Sequence, residues 1–354
     1  MTSNSENVQR LVSNFNQSFA LFPPFDAILS DLEKLRNKSA REGFKPSMLI
    51  YGDTGAGKSA LLEHFTKESK SKTGRKVLRT RVRPSLQETL SWTLHVLNPL
   101  RRNNRFVKNA SEIGLTDMLI RELKQANIGI MIIDECQEFV EIRSNDDKKE
   151  ISIRLKMISE EASVSMIFVG MPWSKEITRD SQWESRIRLV REIPYFKVIN
   201  ENGSNNKKEM KRFALSLMEI SKLMPLDKQP QLELPEFSFP LLAYSRGEMR
   251  ALKDILSDAL EIALNEGAKE LTRYHLQEAA KFSVEGENPF DEKVNMIQIQ
   301  TIQQYTGSGP AAKKKKLDGS GRFELDDKTG RRERFDRAFT ALQQIPINKL
   351  LSKR

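Results

Sequence analysis

Short apolar runs alternate with amphipathic stretches as far as about residue 200, and this alternation predicts the fold. Four runs have the length of buried strands, and they begin at Met48, Val77, Ile128 and Val164. Helical spacing of apolar residues precedes or follows each run, over residues 25–38, 60–70, 86–97, 116–126 and 146–161. Residues 128–133 are apolar throughout except for one glycine, as is typical of a strand covered on both faces. The pattern therefore predicts an α/β fold around a parallel sheet.

Weaker patterns follow the fourth run. Helical pieces are predicted at 172–180 and 183–188, and a short fifth strand at 192–196. Beyond a polar linker at 200–206 the patterns are only helical, over 208–223, 238–245, 248–266 and 272–282. We therefore expect a small all-α domain after the α/β domain.

Composition narrows the class of protein. The chain has 354 residues, 38% of them hydrophobic and 30% charged, which is typical of a soluble protein with one large or two modest domains. No apolar run is long enough to span a bilayer, and the polar N-terminus lacks the apolar segment of a secretory signal. The one cysteine, Cys136, excludes an intramolecular disulfide and fits a reducing compartment. We expect a cytoplasmic protein with no membrane partner.

The net charge of +10 is concentrated in one segment. Between Lys67 and Lys108 there are twelve Lys or Arg residues and two acids, so this segment alone carries +10. A solvated surface usually mixes both signs, whereas clustering of one sign favours a polyanion partner. The segment has no interleaved run of aromatic residues, so a platform that stacks single-stranded bases is not expected.

A phosphate-binding motif directly follows the first apolar run. The sequence from Gly52 to Ser59 matches the P-loop pattern, whose glycines let the backbone turn and bring N–H groups close to phosphate oxygens. Lys58 would supply a charge to the β- and γ-phosphates, and Ser59 would supply a hydroxyl to Mg²⁺. The predicted nucleoside triphosphate site comprises Gly52, Asp53, Thr54, Gly55, Ala56, Gly57, Lys58, Ser59 and Ala60.

Two consecutive acids, Asp134 and Glu135, end the apolar run at 128–133. In a P-loop protein the first acid supports Mg²⁺ at the carboxyl end of its strand. The second is placed to polarise the water that attacks the γ-phosphate, as a general base. A GTPase should carry an Asn-Lys-x-Asp guanine reader, and the sequence has none. The residues predict an ATPase that uses ATP and Mg²⁺.

These motifs, together with Gly247-Glu-Met-Arg250 at a helix start, resemble the AAA+ ATPases. The resemblance implies that Arg250 is the sensor-2 arginine of a lid domain. It also implies an arginine finger within 183–188, with Arg186 as the first candidate and Arg188 as the second; a local salt bridge is the alternative role. A finger that acts on the neighbouring subunit would make hydrolysis depend on oligomerisation.

The sequence departs from the AAA+ pattern at sensor 1. The resemblance places this residue at the end of the fourth strand, where a polar Asn or Thr is usual. Here Gly170 and Met171 occupy the position. Ser165 and Ser174 are the candidate substitutes.

The C-terminal part is composite. A basic cluster at 307–321 is bracketed by Gly-Ser-Gly on both sides, and its core resembles a monopartite nuclear localisation signal. Symmetric flanks are characteristic of design, so we interpret it as an engineered insertion; a natural basic linker is the alternative. Residues 322–354 predict one amphipathic helix, which either binds a partner or docks on its own domain, with an apolar face of Phe335, Ala338, Phe339, Leu342 and Ile345.

The chain therefore divides into six parts. An N-terminal arm (1–24), expected to be mobile over residues 1–22, precedes the α/β nucleotide-binding domain (25–200). The helical lid domain (206–283) and a linker (284–306) follow. The engineered nuclear localisation insert (307–321) and a partner-binding tail (322–354) complete the chain.

The combination of Asp53–Ser59, Asp134–Glu138, Val169–Pro172 and the Gly-x-x-Arg lid resembles the TnsC/TniB transposition regulators over about residues 25–283. The basic tail is most similar to TnsC proteins of CRISPR-associated transposons. The resemblance implies an ATP-dependent homo-oligomer, a ring or filament, on duplex DNA. It implies contact with a target-selection complex of TniQ and a guide RNA, and with transposase subunits of the TnsA/TnsB type through the tail. Candidates for non-specific contacts with DNA phosphates are Arg79, Arg81, Arg83, Arg101, Arg102, Arg105 and Lys108.

Two other functions remain open. A replication initiator or helicase loader would share the fold but should carry an added DNA-reading domain, and no convincing one is found. A scaffold that uses ATP as a switch and hydrolyses it weakly would fit the unusual sensor-1 position. The parent protein would be cytoplasmic in a bacterium, and this chain would be nuclear if its signal is used.

Overall fold

The computed structural model describes residues 2–21, 23–39, 45–71, 74–98, 111–140, 145–198, 200, 204–281 and 288–291, and the backbone of 323–325 and 332–334. The predicted insert and nearly all of the C-terminal tail lie outside the described residues. So do the candidate DNA contacts Arg101, Arg102, Arg105 and Lys108.

A five-stranded parallel sheet forms the centre of the α/β domain, in the order β2-β3-β4-β1-β5. The four predicted runs are confirmed as strands. Each is either apolar on both faces or alternates between apolar and polar residues. The strands are β1 (Ser47–Tyr51), β2 (Lys76–Arg81), β3 (Ile128–Asp134), β4 (Ser165–Gly170) and β5 (Ile187–Glu192).

Helices cover both faces of this sheet. Alternate residues of β1 enter separate cores, with Met48 and Ile50 on one side and Leu49 and Tyr51 on the other. Helices α2 (Pro23–Ser39) and α3 (Lys58–Ser71) cover the first side. The second is covered by α4 (Leu86–Leu97), α5 (Glu112–Gln125) and α7 (Asn145–Glu161), and the short α6 (Gln137–Val140) follows β3. The Ser85 side chain caps α4 by accepting from Glu88 N, as its capping box predicts.

The region predicted to be helical beyond residue 206 contains four helices among the described residues. Their apolar faces join the core on the α2–α3 side of the sheet. The helices are α8 (Lys207–Ser221), α9 (Pro235–Ser245), α10 (Met249–Asn265) and α11 (Arg273–Ala280). A small antiparallel pair, β6 (Phe323–Leu325) and β7 (Arg332–Arg334), lies in the tail.

The expectation of a mobile arm over residues 1–22 is wrong. Residues Thr2–Gln17 form a helix, α1, that packs on α10. Its apolar residues recur at helical spacing and are buried, Phe15 to 1% exposure. Lys253 Nζ on α10 donates to the Asn16 carbonyl at 2.8 Å and the Ser18 carbonyl at 2.6 Å. Sparse apolar residues in a polar stretch are enough to dock this helix because α10 offers a complementary face.

The fifth strand lies five residues earlier than predicted. It spans Ile187–Glu192, and residues 193–198 form no regular element. Ile193 N still donates to the Tyr51 carbonyl at 2.8 Å, but Phe196 N donates to Gly247 in the lid at 3.0 Å. The predicted helix at 183–188 is also wrong, because Trp183 and Arg186 lie in turns before β5. The piece at 172–180 is a 3₁₀ helix, Pro172–Arg179.

Candidate nucleotide-binding site

The predicted P-loop connects the end of β1 to the start of α3. Gly55 and Gly57 adopt φ values of 76° and 99°, a region that side chains with a Cβ disfavour. The turn directs the loop back so that α3 begins at Lys58, and Leu61 N donates to the Gly57 carbonyl at 3.1 Å. The N–H groups of a helix N-terminus attract anions, so this geometry suits a phosphate group.

Lys58 is held by the loop that it follows. Its Nζ donates to the carbonyls of Gly52 at 2.6 Å and Asp53 at 2.9 Å. Burial lowers the pKa of Lys58, and the nearby carboxylates of Glu135, Asp53 and Asp134 oppose that shift. The half-buried lysine therefore lies among three carboxylates, where its ammonium is placed to meet an added anion.

The remaining P-loop positions differ in exposure. Ala56 is buried, and the Thr54 carbonyl accepts a hydrogen bond from the Tyr195 hydroxyl. Ser59 and Ala60, in the first turn of α3, are exposed. The hydroxyl of Ser59 is therefore open to a ligand, as its predicted role requires.

Asp134 and Glu135 lie where β3 ends, at the same end of the sheet as the P-loop. Asp134 is 6% exposed, and its Oδ2 accepts a hydrogen bond from Arg79 Nη2 at 2.5 Å. Its Oδ1 accepts from the backbone N–H of Glu135 at 3.0 Å. Glu135 itself has a φ of 60°, which is uncommon for a residue other than glycine and often marks an active site.

The Glu135 carboxylate has two polar neighbours. Gln137 Nε2 donates to Oε2 at 2.5 Å, and Arg81 Nη2 lies 3.7 Å from Oε1. Gln137 is not among the predicted site residues, although it stands two residues after the predicted base. It lies within the Asp134–Glu138 segment that carries the family resemblance, but no role was predicted for it, because a single glutamine has no characteristic spacing.

The lid brings Arg250 to the P-loop. The backbone N–H of Arg250 donates to the Gly55 carbonyl at 3.0 Å. The Glu248 side chain packs against the same glycine, where any Cβ would collide with its carboxylate. The positive charge of Arg250 also contributes to the lowered pKa of Lys58, after burial. Residues from the P-loop, β3 and the lid thus meet in one place.

The sensor-1 position carries no polar side chain. Gly170 ends β4, and Met171 follows it with its sulfur 3.9 Å from Lys58 Nζ. Ser165 begins β4 and so lies at the far end of the strand from the P-loop, which removes it as a substitute. Ser174, by contrast, packs directly on Gly170.

Arg186 lies at the opposite end of the sheet from the P-loop. Its carbonyl accepts from Ser47 N at 2.9 Å, at the start of β1, whereas the P-loop follows the end of β1. Its guanidinium pairs with Glu160 and donates to the Gln182 carbonyl at 3.0 Å. Arg188 is exposed on β5 rather than on a helix shared with Arg186. Neither arginine belongs to the cluster around Lys58.

The described candidates for DNA contact have other neighbours. Arg79 and Arg81, on the edge strand β2, reach Asp134 and Glu135 as described above. Arg83 follows β2, and its guanidinium lies 4.1 Å from the centre of the Trp92 ring. Trp92 is half-buried.

A small pocket lies between the P-loop and the lid. Apolar side chains and the segment after β5 form most of its wall. Its lining includes Pro24, Ala56, Ile193, Pro194, Tyr195 and Met249. The cavity measures about 10 Å³, which is room for about one water molecule, so the lid would have to move away from the P-loop to admit a larger group.

The Ser59 hydroxyl and the Asp134 carboxylate offer oxygen ligands, the kind that Mg²⁺ prefers. The described residues contain no group of three or more His, Cys, Asp or Glu side chains that could hold a metal. Mg²⁺ at a phosphate site needs only one or two protein oxygens, because water and phosphate oxygens complete its octahedron. The exposed Ser59 hydroxyl and the Asp134 carboxylate fit that requirement.

Comparison with known proteins narrows the class. The profile of the family described as "Bacterial TniB protein" matches residues 12–197, more than half of the chain. No curated protein matches the chain by sequence at a significant level.

Within the described residues, no helix combines the length and apolar character needed to cross a membrane.

Solved structures show the same fold at low identity. The chain is similar to the Aeropyrum pernix ORC1 protein in complex with DNA, with a TM-score of 0.53 and 18% identity, over 75% of this chain and 66% of that one. It is similar to the Aeropyrum pernix ORC2 protein in its ADPNP–ADP complexes, with a TM-score of 0.55 and 18% identity, over 77% and 72%. It is also similar to CDC6P from Pyrobaculum aerophilum, with a TM-score of 0.55 and 15% identity, over 78% of this chain and 72% of that one. The fold is that of the AAA+ ATPases, and the chain spans slightly less than two thirds of the first of these relatives.

Proposed function

Because this chain belongs to the TniB family, we propose that it is an ATP-dependent, DNA-binding AAA+ regulator of transposition. The observation that carries the proposal is the convergence of Lys58, the Asp134–Glu135 pair and the Arg250 backbone on the P-loop. Three separate parts of the chain meet there, as a nucleotide site between a core and a lid requires. The proposed domains are those of the sequence analysis, except that residues 2–17 are a docked helix.

The P-loop residues would bind the triphosphate, and each has a distinct role. Lys58 would exchange its two loop carbonyls for phosphate oxygens, and the N–H groups after Gly57 would donate to them. Ser59 and Asp134 would hold Mg²⁺, which when bound neutralises developing phosphate charge. For the adenine to lie beside Ala56 and Ile193, the small cavity there would have to widen by movement of the lid.

Glu135 would act as the general base of hydrolysis. Its Oε atoms lie beside Arg81 and Gln137, and it follows the buried Asp134, so its carboxylate is fixed at the edge of the phosphate site. It would take the proton of the attacking water. Arg250, at the start of α10, would bring a positive charge to the phosphates when the lid is docked.

Arg186 would act on the neighbouring subunit. It lies at the far end of the sheet from its own P-loop, so it serves no role within its own site, and a ring or filament would bring it to the next one. Its present partner Glu160 would release it on assembly. Hydrolysis would then depend on the homo-oligomer.

Duplex DNA would bind along the basic segment through its phosphates, without sequence reading. The residues proposed for this contact are Arg79, Arg81, Arg83, Arg101, Arg102, Arg105 and Lys108. Of these, Arg81 is the most available described member of β2, with 64% of its side chain exposed.

Further partners follow from the resemblance to TnsC proteins of CRISPR-associated transposons. The oligomer would join a TniQ and guide-RNA complex to TnsA/TnsB-type transposase subunits, with the tail at 322–354 as the transposase contact. The basic cluster at 307–321 would direct this chain to the nucleus as an engineered signal, whereas the parent protein would be cytoplasmic.

The test is binding of the full chain to random-sequence duplex DNA with ATP, a non-hydrolysable analogue, ADP or no nucleotide, with negative-stain imaging of each sample. We expect rings or filaments only with a triphosphate, and loss of them in a Lys58→Ala control. The slope of log affinity against log salt gives the number of phosphate contacts, at about 0.9 per contact. DNA binding that ignores nucleotide would refute the gating by ATP, and no DNA binding would refute the role on DNA.

A further inference from the structure

Gln137 links the proposed base to the end of β4. Its side chain is 5% exposed, and its two polar atoms have different partners. Nε2 donates to Glu135 Oε2 at 2.5 Å, and Oε1 accepts from the backbone N–H of Met171 at 3.1 Å. One buried amide therefore joins the carboxylate to the segment where sensor 1 is expected.

Three neighbouring side chains, this amide among them, leave no room for a side chain at Gly170. A Cβ built on Gly170 would lie 2.6 Å from Gln137 Oε1 and 2.9 Å from the Cys136 sulfur, and closer still to the Ser174 hydroxyl. No side chain on β4 could occupy that space while Gln137 holds it. The polar group that β4 lacks at this point is thus supplied by α6.

We propose that Gln137 is the positioning residue for Glu135 and takes the place of the sensor-1 side chain absent at Gly170. The amide N–H holds the Glu135 carboxylate, and the Met171 N–H holds the amide oxygen and so fixes the orientation of the amide. The assignment rests on the proposed hydrolysis, which it deepens. It predicts that turnover needs Gln137, whereas ATP binding does not.

Ser174 is the rival for this role, because it also packs on Gly170. Its hydroxyl is fully buried, and the side chain that the Glu135 carboxylate meets on this side is that of Gln137. Ser174→Ala should therefore leave turnover close to wild type. Equal losses in Ser174→Ala and Gln137→Met would overturn the assignment to Gln137.

The experiment compares Gln137→Met with wild type in the full chain, with duplex DNA and saturating Mg-ATP. Methionine keeps the length and burial of the side chain but loses both hydrogen bonds. We expect kcat to fall by about 10²-fold from misplacement of the base, with KM and ATP affinity within about threefold. Gln277→Met on α11 makes the same chemical change away from the site and should leave turnover unchanged.

A double-variant cycle separates positioning from simple support of the fold. In a Glu135→Ala background, adding Gln137→Met should leave the residual turnover unchanged, because the base on which Gln137 acts is already gone. Additive losses in kcat would overturn the assignment, as would a KM rise without a fall in kcat. Wild-type protein that binds ATP but never hydrolyses it would overturn the proposed function and this assignment together, whereas active wild type with active Gln137→Met would overturn the assignment alone.

Discussion

The guanidinium of Arg79 donates a hydrogen bond of 2.5 Å to the carboxylate of Asp134 on the neighbouring strand. Arg81, two residues along the same edge strand, faces Asp134 in the strand register and lies 3.7 Å from Glu135. Two arginines expected on a DNA-binding surface are thus in contact with the two acids expected at the nucleotide. Two positive charges of the basic segment are therefore paired with the two acids of the site in this structure.

Replacing Arg79 should lower the stability of the protein, because the buried Asp134 carboxylate would be left without its cation. In Arg79→Met the carboxylate, 9% exposed, would lose its cation, and the free energy of unfolding should fall by about 1–3 kcal/mol. Saturating Mg-ATP should narrow that loss, because the cation supplies the missing positive charge. Denaturant melts with and without Mg-ATP measure both effects.

Arg83→Met is the matched control, because Arg83 lies on Trp92 rather than on an acid. The free energy of unfolding that Arg83→Met loses relative to wild type should be the same in Mg-ATP as in buffer. An Arg79→Met protein as stable as wild type in buffer would contradict the pairing.

Glu135→Gln should separate an enzyme from a nucleotide-switched scaffold. The amide cannot accept a proton, so steady-state turnover should fall by about 10²-fold or more while ATP binding persists. Assemblies on DNA should then outlive those of wild type in a dilution assay. Glu138→Gln, the same change three residues away, should behave as wild type. If Glu135→Gln leaves both turnover and lifetime unaltered, the scaffold interpretation is correct.

Arg186 can be tested for action on the neighbouring subunit by mixing two inactive variants. Glu135→Gln subunits bind ATP and assemble but cannot hydrolyse it, and they still present Arg186; Arg186→Ala subunits have the reverse defect. We expect each alone to lose about 10²-fold or more in turnover, and the mixture to regain measurable activity. A Glu135→Gln/Arg186→Ala double variant should not rescue. Failure of every mixture would leave Arg186 with only its salt bridge to Glu160.

The docked N-terminal helix should contribute strongly to stability. Phe15→Ala removes a ring that is 1% exposed, and should lower the free energy of unfolding by about 3–5 kcal/mol. Arg10→Ala on the exposed face of the same helix should change it by no more than about 0.5 kcal/mol. Guanidinium melts of both variants measure the difference, and equal midpoints would show that the helix does not pack as described.

Local patterns were sufficient for the P-loop and for the strands that flank it. Residues 48–51 and 128–133 are almost entirely apolar because both faces of an interior parallel strand are buried, so their chemistry and length predict these strands directly. The Gly-rich turn follows β1, and the two acids lie at the end of β3. Because parallel strands end at the same edge of a sheet, the sequence predicts that the two motifs lie together. These parts needed no knowledge of distant contacts.

The rest depended on contacts between distant segments. Phe15 is buried in a core that α10 shares, and the segment after β5 turns from the sheet to the lid, where Phe196 N donates to the Gly247 carbonyl. The pairing of Arg79 with Asp134 depends on strand order, which periodicity does not supply. The role of Gln137 depends on the space that Gly170 leaves, which is visible only once both are placed.

The hydrogen bond between Arg250 N and the Gly55 carbonyl joins two backbones, so it does not depend on the side chain at position 250. Arg250→Ala would therefore remove the guanidinium and leave the lid attached to the loop. Arg250 therefore acts in two separate ways: its side chain supplies a positive charge, and its backbone N–H attaches the lid to the P-loop. A series of side chains at position 250 would vary the electrostatic contribution at constant domain geometry, and so measure it in isolation.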